Sequence, residues 1–153
     1  PAARYAHGAA VLDGKIYVVG GCESGIRTNS MQVFDPQTNT WAAGPPMPTA
    51  RFALGVAALG GKIYAVGGYK DGGAVSLVEA FDPQTNSWAA VAPMSTGRYY
   101  FSLTPVRGRL YAAGSVGSAA LQLAVEAYDP QQNRWDAVAP MADAHPYHCA
   151  VAL

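Results

Sequence analysis

Charge is scarce in this chain of 153 residues: only 13% of positions are Asp, Glu, Lys or Arg, and ten cations balance ten anions. A neutral chain has no electrostatic pull toward a phosphate backbone or an anionic lipid face, so neither nucleic acid nor a membrane is expected as a partner. Long apolar runs are missing as well, and none approaches the roughly 20 residues that a bilayer span requires. Cysteine is limited to Cys22 and Cys149. Two thiols at uneven places do not make a disulfide framework, which favours reduced cysteines and a cytoplasmic location. Helical periodicity is absent throughout, yet half of the residues are apolar, so the chain has the material for a β-sheet core.

What the chain does have is a repeat. Ile16 to Gly21 returns as Ile63 to Gly68 and, more weakly, as Leu110 to Ser115. Phe34 to Trp41 returns as Phe81 to Trp88 and Tyr128 to Trp135, always 47 residues on and without insertion or deletion. The first two copies agree at 25 of 47 positions. A fixed period of this length signals one supersecondary unit whose copies bury each other's apolar faces.

Each unit reads as four short antiparallel strands. In the first copy, Tyr5 to Leu12 is small and apolar, Asp13-Gly14 is a hairpin signal, and Lys15 to Gly20 is β-branched and aromatic. A polar loop follows, then Met31 to Asp35, a turn over Pro36 to Asn39, and a last strand opening at Trp41. An all-β repeat of this size predicts propeller blades, with small residues on the strand nearest the axis.

The spaced motifs resemble the kelch repeat along the whole chain. They are an arginine before the first strand (Arg4, Arg51, Arg98), a glycine pair, Phe/Tyr-Asp-Pro, a tryptophan, and Pro-Met. The resemblance implies a kelch-type β-propeller with about three four-stranded blades of a larger, six-bladed ring. Residues 1–153 would form a partial propeller with repeats at 4–50, 51–97 and 98–144, and 145–153 as the first strand of a fourth. Missing blades or a second copy would complete the ring.

Register between copies separates scaffold from site. The arginines, Tyr17/Tyr64/Tyr111, Asp35/Asp82/Asp129, Asn39/Asn86/Asn133 and the tryptophans recur in every copy and are read as structural. The arginines are expected to pair with Glu79 and Glu126 on the third strand, although the first copy has Gln32 there. His145 and His148 stand three apart and His7 shares the repeat position of His148, which raises a metal pair. The kelch pattern carries a histidine at that place, so the resemblance returns them to the scaffold, and no metal or cofactor is expected. Acidic residues outside the repeat form no carboxylate pair, and no nucleophile elbow, phosphate loop or zinc spacing occurs. The chain is therefore expected not to be an enzyme. The alternative that the resemblance allows is a propeller enzyme, either a galactose-oxidase-like copper oxidase or a sialic acid epimerase.

In such a meander, the loop between the second and third strands shares one end with the connection to the next blade. That end is where the copies differ: Cys22, Glu23 and Arg27 in one, Tyr69, Lys70 and Asp71 in the next. Variable loops on a rigid scaffold are the usual place for recognition. Tyr5, Phe52 and Tyr99 follow the arginines at the same end, with Tyr100 and Tyr147 one place on. Substrate-recruiting kelch adaptors of ubiquitin ligases hold peptides at these two places, so the resemblance implies a protein or peptide partner there. Aromatics where those adaptors often carry serine and arginine imply a less acidic, more apolar ligand.

Overall fold

The computed structural model describes residues 3–143; His145, Tyr147, His148, Cys149 and the expected fourth-repeat strand lie outside them. The protein is all-β, and its described residues build three four-stranded antiparallel sheets, the blades of a propeller, whose strand order follows the chain. Blade 1 comprises Gly8–Leu12, Lys15–Val19, Met31–Asp35 and Thr40–Gly44. Blade 2 comprises Gly55–Leu59, Lys62–Val66, Val78–Asp82 and Ser87–Val91. Blade 3 comprises Ser102–Val106, Arg109–Ala113, Val125–Asp129 and Arg134–Val138. Even the pairing register recurs: Tyr17 lies opposite Val33, Tyr64 opposite Ala80 and Tyr111 opposite Ala127.

The invariant end of the blades is made by two turns. Asp13 and Gly14 both take left-handed backbone angles, φ 51° and 73°, as a tight hairpin with right-twisted strands requires. In the other turn, Asp35, Asp82 and Asp129 each accept a hydrogen bond at 2.9 Å from the backbone N–H two residues on. Lys15, Lys62 and Arg109 lie 3.1, 3.1 and 3.0 Å from the same carboxylates. Lys15 holds the Asp35 carboxyl below its ordinary range, and the backbone N–H groups of Gln84 and Gln132 lead in doing so for Asp82 and Asp129. Burial pushes Glu126 upward, but hydrogen bonds from Ser95 and Arg98 outweigh it and leave this carboxyl lowered too.

These shifts set a sign for acid stability. A carboxyl whose folded pKa lies below its unfolded value stabilises the fold fully above the unfolded pKa, about 4, and loses that contribution as pH falls through the folded value. The melting temperature is therefore expected to stay level from pH 7 to about 5 and to fall steadily below about 4. A scanning-fluorimetry series would show it; a melting temperature that rises on acidification to about pH 3 would contradict the assignment.

Blades stack through two apolar layers. Tyr17, Val19, Met31 and Met47 of the first copy pack on Leu54, Val56, Ile63 and Phe81 of the second. Tyr64, Val66, Val78 and Met94 pack on Phe101, Leu110 and Tyr128 in the same way. Trp88 donates its indole N–H to the Pro45 carbonyl and Trp135 donates to that of Ala92, each at 3.0 Å, so each tryptophan clamps the connection from the blade before. On the corresponding face of blade 1, Trp41 is 44% and Val11 63% exposed.

The innermost strand departs from expectation. Instead of running unbroken from Tyr5 to Leu12, it is interrupted at Ala6, which has φ 51°, and the break recurs at Ala53 (53°) and Tyr100 (49°). The kink serves the stacking of blades: the Ala53 N–H donates to the Ala6 carbonyl at 2.7 Å, and the Tyr100 N–H donates to the Ala53 carbonyl at 3.0 Å. Small residues are needed on this strand because a Cβ on Gly55 would lie 2.7 Å from that of Leu103.

The glycine pair is a junction between blades. The Gly21 N–H donates to the Arg51 carbonyl at 3.0 Å and the Gly68 N–H to that of Arg98 at 2.7 Å. Helix was not anticipated anywhere, yet the loop of blade 3 contains one turn, Ala119–Leu123, capped by Ser118 and with no buried residue. Alanine and leucine carry the propensity for it, but five residues lie below the length at which periodicity becomes visible.

Candidate partner-binding face

Beneath the variable face lie three arginine sites. Arg51 and Arg98 are 0% and 1% exposed. Arg51 meets Glu79 at 2.5 Å and donates to the Ala65 carbonyl at 2.8 Å, while Thr49 donates to the other oxygen of Glu79 at 2.8 Å. Arg98 contacts Glu126 at 2.7 Å and donates to the carbonyls of Gly114 and Ala124 at 3.1 and 2.7 Å. Both expected pairs thus form. In blade 1, where the strand offers Gln32, Glu23 reaches down from the loop and meets Arg4 at 2.6 Å. Positions equivalent to Glu23 in the later copies are Lys70 and Gly117. The carboxylate has moved from strand to loop, and the ion pair is kept.

The two places singled out in the sequence turn out to face each other. Tyr5 lies opposite Cys22 in a short antiparallel pair. At the equivalent place Phe52 and Tyr69 exchange both backbone bonds, at 3.4 and 2.8 Å. In the third copy the Val116 N–H donates to the Tyr99 carbonyl at 3.1 Å. There Ser115 replaces the second glycine, without that glycine's left-handed angle. Its Oγ accepts from the Tyr99 N–H at 3.2 Å and lies 3.2 and 3.0 Å from the carbonyls of Tyr99 and Val116.

Above these pairs the aromatic candidates gather into a closed quartet. Ring centroids are 5.4 Å apart for Phe52 and Tyr69, 5.1 Å for Tyr69 and Tyr99, 5.7 Å for Tyr99 and Tyr100, and 6.5 Å for Tyr100 and Phe52. All four are half-buried, so each ring rests on its neighbours while part of its surface meets solvent. Tyr5 stands beside them and is 57% exposed. Its phenol is pushed above the ordinary value chiefly by a hydrogen bond with the Cys22 thiol.

Three charged candidates lock one another. Arg27 of blade 1 meets Asp71 of blade 2 at 2.7 Å, and Lys70 lies 3.8 Å from the same carboxylate. Two further candidates are held by the loop itself. Cys22 is 4% exposed, turned under the loop by its strand pairing with Tyr5. Glu23 is held by Arg4 and by the Ser30 hydroxyl, which ties the loop to the arginine beneath it. Tyr147 lies outside the described residues. Ser115 and Thr49 were missed, and only their place beside the glycine pair and the arginine could have flagged them. Among the described residues, no cluster of three His, Cys, Asp or Glu is placed to hold a metal, and no helix is long and apolar enough to cross a membrane.

Comparison with known proteins agrees with this architecture. The family model described as the KLHDC2/KLHL20/DRC7 Kelch-repeats domain matches residues 1–114. The F-box/kelch-repeat protein At4g19330 of Arabidopsis thaliana is 60% identical over 35 residues, 23% of this chain and 9% of that protein. Kelch-like protein 35 of Homo sapiens is 42% identical over 45 residues, 29% of this chain and 8% of that protein. The chain therefore matches less than a tenth of the length of these relatives. A solved structure titled "Structure of YjhT" superimposes with a TM-score of 0.81 at 16% identity, covering 93% of this chain and 53% of that one.

That superposition corrects the expectation that the chain is not an enzyme. Sharing a propeller fold with YjhT does not favour binding over catalysis, because activity resides in sites grafted on a fold and not in the fold itself. With a family model spanning residues 1–114 and the blade geometry to match, the chain belongs to the kelch-repeat family.

Proposed function

We propose that this chain is a protein-interaction module of the cytoplasm, holding a peptide or protein segment on its variable loop face. The observation that carries the reading is the quartet of Phe52, Tyr69, Tyr99 and Tyr100, which the second and third copies assemble beside the variable loops. Clustered, rigid aromatics give large contact area at low entropic cost and are enriched among residues that dominate binding energy. The ion pair of Arg4, whose side chain is 5% exposed, with Glu23 holds one of the variable loops in place and so favours preorganisation. Names among the relatives add a finer proposal: an F-box/kelch-repeat protein and a Kelch-like protein suit a substrate-recruiting role in a ubiquitin ligase.

The double variant Tyr69→Ala, Tyr99→Ala is expected to abolish capture of partners that the wild-type chain enriches, while the fold survives. Loss of two hot-spot rings reduces affinity by roughly 100-fold or more. Quantitative pull-down beside a melting curve is the measurement. Recovery of the same partners by a folded double variant would move the binding surface elsewhere.

A further inference from the structure

We propose that the cleft between blades 2 and 3, at the end of the propeller opposite the variable loops, binds a neutral polyhydroxylated molecule of monosaccharide size. This second site is separate from the aromatic face and does not depend on what that face holds.

The cleft measures about 420 Å3 and lies between the outer strands of blade 2 and the Asp-Pro turn of blade 3. Small-molecule pockets span about 300–1,000 Å3. Its room comes from a departure within the repeat. Ala80 stands where blade 1 has Val33, which packs into its own junction, and the smaller side chain leaves space beside Tyr64, its cross-strand partner.

The polar groups in the cleft are set by the fold. Tyr128 is 2% exposed and donates its hydroxyl to Asn133 Oδ1 at 2.8 Å, and the Ala92 N–H donates to the same oxygen at 2.9 Å. A backbone N–H only donates, so the amide orientation of Asn133 is fixed and its NH2 group remains as a donor. Neither contact has a counterpart one junction earlier, where Phe81 has no hydroxyl and Pro45 no N–H. Tyr64 is 6% exposed and lines the cleft, and its hydroxyl hydrogen-bonds no other group among the described residues. Burial pushes both phenols up, that of Tyr128 to about 12, so each keeps its proton at neutral pH. A hydroxyl enclosed without a partner is costly, and a ligand that pairs with it recovers that cost.

Charge selects against ions. Lys62 lies 3.1 Å from Asp82, so the cleft holds one cation and one anion already paired. An anionic ligand would meet Asp82 and a cationic one Lys62, with like charges brought together in either case. Shape selects against flat heteroaromatic rings: Tyr64 and Tyr128 touch each other, with centroids 5.7 Å apart and planes at 60°, and leave no parallel slot between them. An extended peptide is read along the backbone of a sheet edge, whereas the polar groups here are side chains sunk between two blade faces. Adjacent hydroxyls fit, because each one both donates and accepts. One accepts from Lys62 while its neighbour donates to Asp82, and the ion pair stays intact. Ala80, Ala89 and Val91 form an apolar wall for the C–H face of a saturated ring.

NMR titration of the isotope-labelled 153-residue chain tests the proposal. The probes are glucose and myo-inositol, with glucuronate and glucosamine as charged counterparts. At least one neutral probe is expected to shift the amides of Gly60, Ala89 and Asn133 with a dissociation constant of about 10 mM or tighter, and the charged probes to bind at least about fivefold more weakly. Ala80→Val, which installs the residue of blade 1, should weaken binding about tenfold or more. Tyr64→Phe, which keeps the ring and removes the hydroxyl, should weaken it about threefold to tenfold. A melting curve shows that each variant is folded. No shift with either neutral probe at about 100 mM, tighter binding of a charged probe, or unchanged binding by a folded variant overturns the proposal. The Tyr69/Tyr99 double variant leaves this cleft untouched, so loss of partners at the aromatic face and loss of the sugar here are read independently.

Discussion

Arg51→Ala is expected to lower the melting temperature by about 10 °C or to prevent folding. Removing one partner of a buried ion pair costs about 3–5 kcal/mol, because the other charge stays behind without compensation. For a chain of this size each kcal/mol corresponds to about 2–4 °C. The stranded group is Glu79, which is 5% exposed and would keep only its bond from Thr49. Arg51 also donates to the Ala65 carbonyl, so the second strand of the blade loses a contact as well. Replacing both partners by methionine, Arg51→Met with Glu79→Met, should recover much of the loss, since no charge remains buried. Arg4→Ala should be milder, because the Glu23 side chain is 29% exposed and water can take the place of the guanidinium. Thermal melts of the four proteins are the measurement. A single Arg51→Ala variant melting within about 2 °C of wild type would remove the ion pair from the list of what holds the blades.

The second large effect is expected at the glycine junction, where Gly67→Ala should cost about 3 kcal/mol or more. Gly60 and Gly67 have almost the same backbone angle, φ 57° and 59°, so alanine carries a similar conformational penalty at each, about 1 kcal/mol. Their surroundings differ. A Cβ at Gly60 meets nothing within 4 Å, whereas one at Gly67 would lie 2.6 Å from the Arg98 carbonyl oxygen. That carbonyl is fixed by the Gly68 N–H at 2.7 Å, so it cannot retreat without opening the contact between blades 2 and 3. The excess of Gly67→Ala over Gly60→Ala in denaturant unfolding isolates the junction from the backbone angle. Equal losses would mean that the two blades can part locally at no cost.

Much of this was legible because the chain carries its own control. The 47-residue register named the strands of three blades, the Asp-Pro turns and the pairs Arg51–Glu79 and Arg98–Glu126, since each rests on residues repeated in phase. What escaped depended on non-repeated geometry. Glu23 looked like a loop residue free for recognition, and nothing in one dimension showed that the loop folds back on Arg4. Cys22 shares its repeat position with Tyr69, yet the smaller side chain is buried where the larger one emerges. The aromatics were identified singly; their closure into a quartet needed the left-handed turn at Tyr100, which brings blade 3 against Phe52. No residue type announces that turn, because alanine fills it in the other two copies.

Ser115 shows how such a repeat can drift. At Gly21 and Gly68 the junction is solved by conformation, with φ 97° and 105° and no Cβ in the way. At Ser115 the backbone angle is ordinary, and a hydroxyl ties Tyr99 to Val116 within the third copy. The two solutions do not interconvert by a single substitution: a side chain at Gly68 would place its Cβ 2.9 Å from the Phe52 carbonyl. A copy that crosses from one to the other must alter its angle and its bonding together. The third copy has the hydroxyl arrangement, and the loop beyond it is the one that holds a helical turn.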